Sequence, residues 1–439
     1  MKLLHTADIH LGFKTYGRRD RETGLNTRLL DVKRSFDAMV ERALAEDIDL
    51  FLFCGDAYHT ADPTPTQQKL FARCLQPISD AGIPIVLITG NHDHPVTFGR
   101  ASSIDIFEYL RGDVHVHRKP ASAVQVIETK SGPLQLIPLP WPVRSQIVTR
   151  DEYRAMTPDQ LRQFIEERYV DYVQRRAQNV RDGADGVRSD GSTVPLSPDR
   201  PTVLAGHVTV QGSALAGSER TSLLASEPKF TVGQLAVPPI DYVALGHIHH
   251  PQDRNPDGAP PVVYAGSIER VTFKERDERK GFYLVDLPSD NTSPEHAPRP
   301  TLTYVETPAR PFRAFQIDAR DAAAPTEHIL QALDTKDVTD AIVRVRYRVE
   351  ESQAAQVDTA RLRAALNNAD KIAAIERTVD PEERKRRTVV ARDATLTDAL
   401  RQYIAQHDDL ASMEDRLVSA ARELEAAYED GRTPEESKT

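Results

Sequence analysis

Five short polar motifs, each closing an apolar run of strand length, constrain this chain more than any other feature. In order they are Asp8-Ile9-His10, Gly55-Asp56, Gly90-Asn91-His92-Asp93, Gly206-His207 and Gly246-His247-Ile248-His249. Residues 2–7 run into Asp8, residues 48–54 end at Gly55, and residues 84–89 end at Gly90. Such runs, bounded by Gly, read as buried strands. Between the first two, Leu29, Val32, Phe36, Met39, Val40 and Ala43 recur at helical spacing, and a further helix is predicted after Pro63 and Pro65. Alternation of this kind predicts an α/β fold with its site at the carboxyl edge of the strands.

The polar residues at those strand ends are of metal-ligand type. Asp56 can bridge two cations, Asn91 offers a neutral oxygen, and His207, His247 and His249 offer imidazole nitrogens. Asp8 and His10 are two apart, so they share a face if the strand continues, or turn inward together if a loop begins there. Mixed N/O coordination suits Mn²⁺, Fe²⁺ or Zn²⁺ better than Mg²⁺ or Ca²⁺. Glycines 55, 90, 206 and 246 let the backbone turn beside the ions without a clashing Cβ. A lone histidine after a strand is usually ordinary, as expected for His115, His117, His296, His328 and His407. Five separate runs ending in these types are not.

The 439 residues, 49.0 kDa, point to two or three folded units. Hydrophobic residues at 39% and charged ones at 28% fit a globular rather than a disordered chain. No apolar run reaches bilayer length, so no membrane association is expected. The apolar stretch in residues 1–5 is too short for a signal peptide. Two cysteines, Cys54 and Cys74, imply no disulfide framework and point to a cytoplasmic protein. The net charge of −10 argues against a generic nucleic-acid coat protein, but not against an enzyme meeting DNA through metal ions.

Further along, 157–176 reads helical, and 178–201, rich in Gly, Ser, Asp and Pro, reads as an exposed insertion or loop. Strand patterns resume at 202–205, 242–245, 262–265 and 282–285, and 287–300 reads as the exit from a first domain. A second unit follows, with strands at 312–317 and 341–349 and helices around 325–333 and 356–367. In 341–349 Val343, Val345, Tyr347 and Val349 alternate with Arg344, Arg346 and Arg348, a half-buried strand with a basic outer face. That face is either a charge-guarded edge or a DNA-backbone contact. Arg384-Lys385-Arg386-Arg387 reads as a solvated hinge or a phosphate contact. The tail carries two amphipathic stripes, Leu396, Leu400, Tyr403, Ile404 and then Leu410, Met413, Leu417, Ala420, Leu424, Tyr428. These faces must fold back or dock elsewhere.

The ordered set of five motifs resembles the signature of the calcineurin-like metallophosphoesterases, over about residues 1–285. Within them, Leu4-His5-Thr6-Ala7-Asp8-Ile9-His10-Leu11-Gly12, Gly55-Asp56-Ala57-Tyr58-His59 and Tyr264-Ala265-Gly266-Ser267 look like the SbcD nuclease family. Ile9 and Ala57-Tyr58 depart from its usual residues. The resemblance implies an α/β metallophosphoesterase β-sandwich flanked by helices (1–290), a small α+β capping domain for DNA approach (303–385), a C-terminal helical arm (390–430) and a disordered tail (431–439).

It implies two divalent ions, with Mn²⁺ expected: one held by Asp8, His10, Asp56 and His249, the other by Asp56, Asn91, His207 and His247. His92 would act on the scissile phosphate, and His59 would help place the DNA end. Asp93 would orient an imidazole or pair with an arginine. The implied partners are DNA ends and hairpins, a second copy of the chain, and an SbcC-type ATPase whose coiled coil takes the helical arm. The chain has no GxxxxGK[ST] loop of its own. Leu70, Phe71, Leu75, Ile104, Phe107 and Leu110 would supply the dimer face or else ordinary core. The expected activity is metal-dependent exo- and endonucleolytic cleavage of double-strand ends and hairpins. The alternatives are a phosphoesterase for small phosphodiesters, nucleotides or phosphoproteins, and a non-catalytic scaffold for the ATPase.

Overall fold

A computed structural model of the chain describes residues 1–94, 101–109, 111–143, 156–217, 227–288, 299–380, 395–405 and 408–429. Leu110, His296, the basic run 384–387, His407 and the tail 431–439 lie outside the described residues, as does the side chain of Tyr428.

Strands β1 (Lys2–Thr6), β2 (Leu50–Cys54), β3 (Ile85–Ile88) and β4 (Val114–His117) run parallel. Helix α1 (Thr27–Ala45) connects β1 to β2, and α2 (Pro65–Asp80) connects β2 to β3. Each helix has a side-chain N-cap, Asn26 for α1 and Thr64 for α2, the latter in a capping box with Gln67. All five residues of β2 are buried because its alternating faces meet different cores. Phe51 and Phe53 join Phe36 and Phe71 under α1 and α2. Leu50, Leu52 and Cys54 point the other way, into a core shared with a second sheet.

That sheet contains β5 (Gln125–Thr129), β6 (Gly132–Leu139), β7 (Asp185–Val187), β8 (Thr193–Pro195) and β9 (Thr202–His207). After a small ladder of β10 (Thr209–Val210) with β11 (Lys229–Phe230), it is completed by β12 (Tyr242–Gly246), β13 (Gln252–Asp253) and β14 (Val262–Tyr264). The order is β13-β14-β12-β9-β6-β5-β7-β8. Helix α3 (Pro158–Arg181) places Leu161, Ile165, Tyr169, Val173 and Val180 in the core with Leu204, Val243 and Leu245 of this sheet. The short helix α4 (Val232–Leu235) adds Leu235. Strands β15 (Gly281–Asp286) and β16 (Thr301–Glu306) return antiparallel to the first sheet, giving β16-β15-β1-β2-β3-β4. The result is a β-sandwich with helices outside both sheets.

Several elements differ from the sequence reading. The stretch 178–201 is no plain loop: it holds the end of α3 and the β7–β8 hairpin, which joins the sheet edge through β5. Its three-residue, partly exposed strands carry no apolar run to read. β6 is obscured in the sequence by Pro133 and Pro138, which usually argue against a strand. β16 pairs along its length with β15, so the first sheet extends past residue 300.

The chain divides into two compact units. The larger comprises Met1–Ile317, Leu330–Arg346 and Thr359–Glu376; the smaller comprises Asp318–Ile329, Tyr347–Asp358 and Arg377–Thr439. Strands β17 (Phe312–Asp318), β18 (Ile342–Glu350) and β19 (Lys371–Asp380) form a three-stranded sheet, and helices α5 (Pro325–Leu333) and α6 (Thr359–Ala365) accompany them. In β18 the alternation holds: Val343, Val345, Tyr347 and Val349 are buried. Arg344, however, donates to Tyr16 Oη (2.9 Å) and lies over Phe273, and Arg346 pairs with Glu376 (2.5 Å).

In the smaller unit α7 (Leu396–Ile404) packs against α8 (Glu414–Glu429) as a hairpin. Thr397, Ile404, Val418 and Ala421 are buried, and Thr397 donates twice to Glu425. Leu396, Tyr403, Met413 and Leu424 stay exposed. Among the described residues no helix is long and apolar enough to cross a membrane.

The residues considered for a dimer face are interior. Leu70, Phe71, Leu75, Ile104 and Phe107 all belong to the core beneath α1 and α2, and among the described residues Leu44, Ile106 and Tyr109 are exposed. Phe71 touches Phe36, Phe53, Tyr58 and Phe107. Phe71→Ala should therefore cost about 3–5 kcal/mol in urea unfolding, with a midpoint independent of protein concentration. A concentration-dependent loss would return Phe71 to an interface.

Candidate metal centre

Strands β1, β2 and β3 of one sheet and β9 and β12 of the other deliver the five motifs to one end of the sandwich. Register explains part of the convergence: His207 and Gly246 are direct partners across β9 and β12. Asp8, His10, Asp56 and His247 all adopt positive φ (52°, 47°, 61° and 94°), a region that side-chain-bearing residues rarely enter. Only three other non-glycine described residues do so, Tyr16, Asp47 and Asp340. Strain concentrated in this way is typical of functional sites. Asp8 and His10 lie beyond the end of β1, so the turned loop, not the shared strand face, brings them inward.

The ligand-type atoms face one another. His10 Nε2 is 2.9 Å from His249 Nε2. Asp56 Oδ2 lies 3.6 Å from His10 Nε2 and 3.5 Å from His207 Nε2, between the two groups. Asn91 Oδ1 is 3.0 Å from both His207 Nε2 and His247 Nδ1. Asp8, His10 and His249 can each point one atom at a common point, as can Asp8, Asp56 and His207, or His10, Asp56 and His92. Imidazole nitrogens sharing a cation, with bonds of about 2.1 Å, sit about 3 Å apart. The donor set, with Asp56 Oδ2 between His10 and His207, therefore fits divalent-cation binding.

The electrostatics agree. Burial pushes the Asp8 carboxyl up to about 6, although His207 and His249 oppose the rise. Burial also acts to raise Asp56, but His207, His10 and His92 around it hold it well below the carboxylate range. Burial keeps His10 well below the usual imidazole value, hence neutral with a lone pair to give. For His207 burial lowers the value, yet the Asp56 charge and hydrogen bond prevail and lift it to about 9. A cation would take the place of that proton.

The outer nitrogens of His207, His247 and His249 are tied to the protein. His207 Nδ1 donates to the Cys54 carbonyl (2.7 Å), which leaves Nε2 as the nitrogen that faces the site and would give up its proton to a cation. His247 Nε2 meets Glu227 Oε2 at 2.9 Å, and His249 Nδ1 meets Glu275 Oε1 at 3.4 Å. Close backbone approach needs glycine at two points. A Cβ on Gly90 would lie 2.2 Å from Asp56 Oδ1, and one on Gly246 would lie 2.0 Å from the Cys54 oxygen. Gly246, like Gly206, sits within a strand rather than at a turn.

His92 is half-buried, its ring edge-on to His10 at 4.8 Å and its Nδ1 2.9 Å from the His59 carbonyl. His59 is exposed and stacks on His92 with centroids 5.9 Å apart. Asp93 plays neither role expected of it. It is fully buried and accepts from the N–H groups of Asp56 (2.8 Å), Ala57 (3.0 Å), Tyr58 (3.4 Å) and Gly90 (3.0 Å). A carboxylate there pins two motif loops together. His115 and His117 lie in β4, and His328 in α5.

Four residues near the site escaped the sequence reading. Trp141, the only tryptophan, lies 5.0 Å from the His247 ring and 6.2 Å from His207. Glu227 adjoins His247. Glu275 and Lys280 sit behind His249, inside a charged stretch, 274–280, that looks like a solvated surface. Only the lone Trp carried a signal, as a residue type often found at binding sites.

Asp93→Asn keeps the shape but presents an amide NH₂ to backbone donors. It should cost about 1–3 kcal/mol in denaturant unfolding and weaken Mn²⁺ binding in titration calorimetry. Wild-type stability would remove the pinning role.

The model of the family described as calcineurin-like phosphoesterase matches residues 1–251. The chain is 27% identical over 287 residues to the D subunit of the SbcCD nuclease of Escherichia coli strain K12, covering 65% of this chain and 64% of that protein. It is 23% identical over 309 residues to the corresponding SbcCD nuclease component of Staphylococcus saprophyticus, covering 70% of this chain and 71% of that one. The match to the Escherichia coli relative thus spans a little under two thirds of its length. Among solved structures, TT1561 of Thermus thermophilus aligns at 12% identity with a TM-score of 0.34, covering 70% of this chain and 98% of that one. Because the matched region takes in more than half of the residues and all five strand-end motifs, the chain belongs to the calcineurin-like phosphoesterase family, hydrolases that bind divalent metals.

Proposed function

We propose that the chain is a Mn²⁺-dependent DNA nuclease acting on double-strand ends and hairpins, as the nuclease subunit of an SbcCD-type complex in the cytoplasm. The observation that carries this reading is Asp56 Oδ2 standing between His10 and His207, with Asn91 Oδ1 between His207 and His247. In this proposal Asp8, His10, Asp56 and His249 hold one cation, and Asp56, Asn91, His207 and His247 hold the other. Two bound cations would neutralise a phosphodiester and acidify the attacking water.

The side chains do the rest. With Nδ1 tied to the His59 carbonyl, His92 has its other nitrogen available to protonate the leaving sugar oxygen. His59, exposed on the solvent side of His92, is suited to placing the DNA end. Asp93 fixes the spacing of the Asp56 and Asn91 loops. Trp141 covers one side of His207 and His247 and restricts water there.

The α7–α8 hairpin supports an ATPase partner. Its buried residues hold the two helices together, while Leu396, Met413 and Leu424 stay exposed as apolar surface suited to docking on a coiled coil. A homodimer would use surface beside the α2 core, where Ile106 and Tyr109 are exposed.

Purified protein with Mn²⁺ should cut a labelled duplex and a hairpin. Cleavage of only a small chromogenic phosphodiester would point to a small-substrate enzyme, and silence on all three to a scaffold. His92→Ala should bind both metals normally in calorimetry while turnover falls about 100-fold or more; metal loss in parallel with activity would make His92 a ligand instead. Truncation after Val390 should abolish capture of the ATPase coiled coil and spare basal nuclease activity, so retained capture would move the docking surface elsewhere.

A further inference from the structure

His249 is backed by a buried charged group that the proposed chemistry does not use. Glu275 is fully buried, and its Oε1 faces His249 Nδ1 at 3.4 Å. Its Oε2 accepts from the Val271 N–H (3.0 Å) and the Lys280 ammonium (2.9 Å). Lys280 is itself buried, held also by Ser267 Oγ at 2.9 Å and Glu278 Oε2 at 3.0 Å. A lysine and a glutamate so deep in a protein are retained only when paired, and pairing them costs much of what it returns. Packing alone would be served as well by apolar side chains.

The geometry points to Glu275 as a positioning residue for His249, with Lys280 holding that carboxylate in place. The inference rests on the two-cation reading of the site. As acceptor for His249 Nδ1–H, Glu275 selects the tautomer whose Nε2 carries the lone pair, and that Nε2 is the atom 2.9 Å from His10 Nε2. The other ring of this facing pair has no such support: His10 Nδ1 is buried without a hydrogen-bond partner among the described residues. Orientation on this side of the site therefore depends on His249. On the other side His207 and His247 are fixed independently, by the Cys54 carbonyl and Glu227. Glu275 and Lys280 thus set the affinity of one cation site without setting the other.

The position of Trp141 makes the two sides separable. The only tryptophan lies against His247 and His207, so its fluorescence reports filling of their side, whereas calorimetry reports both. With the full chain and Mn²⁺ alone, wild type should bind two ions. Glu275→Gln should weaken one of them about tenfold or more and leave the Trp141 quenching isotherm unchanged. The double variant Glu275→Gln/Lys280→Met removes both buried charges together, leaves only the partly exposed Glu278 without its ammonium partner, and should show the same one-site loss.

In unmutated protein loaded with Zn²⁺, the ¹⁵N spectrum should show His249 Nδ1 protonated and Nε2 as the ligand. Wild-type affinity at both sites in the variants, equal loss at both, or the opposite His249 tautomer would each overturn the proposal. Fewer than two Mn²⁺ ions on wild type would instead overturn the two-cation reading beneath it.

Discussion

The contact on which the site depends is the Asp93 carboxylate buried among backbone donors. Its oxygens collect N–H groups from Asp56, Ala57, Tyr58 and Gly90, which belong to the loops after β2 and β3. Burial, with the Asp56 charge beside it, pushes the Asp93 carboxyl up to about 7, and the four N–H donors favour its charged form against that rise. These hydrogen bonds allow Asp56 to keep a left-handed backbone and hold its side chain against Gly90. From that fixed point the rest of the cluster can be measured.

Two sheets are needed because no single sheet carries all the donors. One brings Asp8, His10, Asp56 and Asn91, and the other brings His207, His247 and His249. The shared apolar core, with Leu3, Leu52 and Val86 facing Leu136, Val203 and Ala244, holds them together. The cluster sits where this core ends, so Asp8, His10, Asp56, His207, His247 and His249 are buried while His59 beside them is exposed. Crowding several imidazoles and carboxylates in such a place is costly for the protein alone, and a bound divalent cation would relieve it.

Around the candidate ligands lies a layer of fixed partners: the Cys54 carbonyl, Glu227, Glu275 with Lys280, and the His59 carbonyl. Each leaves one imidazole nitrogen facing inward by occupying the other. Trp141 encloses one flank. The tail follows a different logic, since α7 and α8 satisfy part of each other's apolar surface and leave a row of side chains exposed.

Local sequence determined the strands that end in polar motifs, because an apolar run, a glycine and a ligand-type side chain are all adjacent in the chain. It also determined α1, α2 and α3, whose caps and periodicity are local, and the alternating faces of β18. Tertiary structure decided what adjacency cannot carry. It made Asp93 neither an imidazole partner nor an arginine partner but a clasp for backbone amides, and put Phe71 and Phe107 in the core rather than on a face. It drew Glu275 and Lys280 out of an apparently solvated run into the interior behind His249. It built β6 despite two prolines and β7–β8 from a stretch without apolar signal. In each case the deciding partner lies far away along the chain, and a buried charge or a sheet edge takes its meaning from what folding brings beside it.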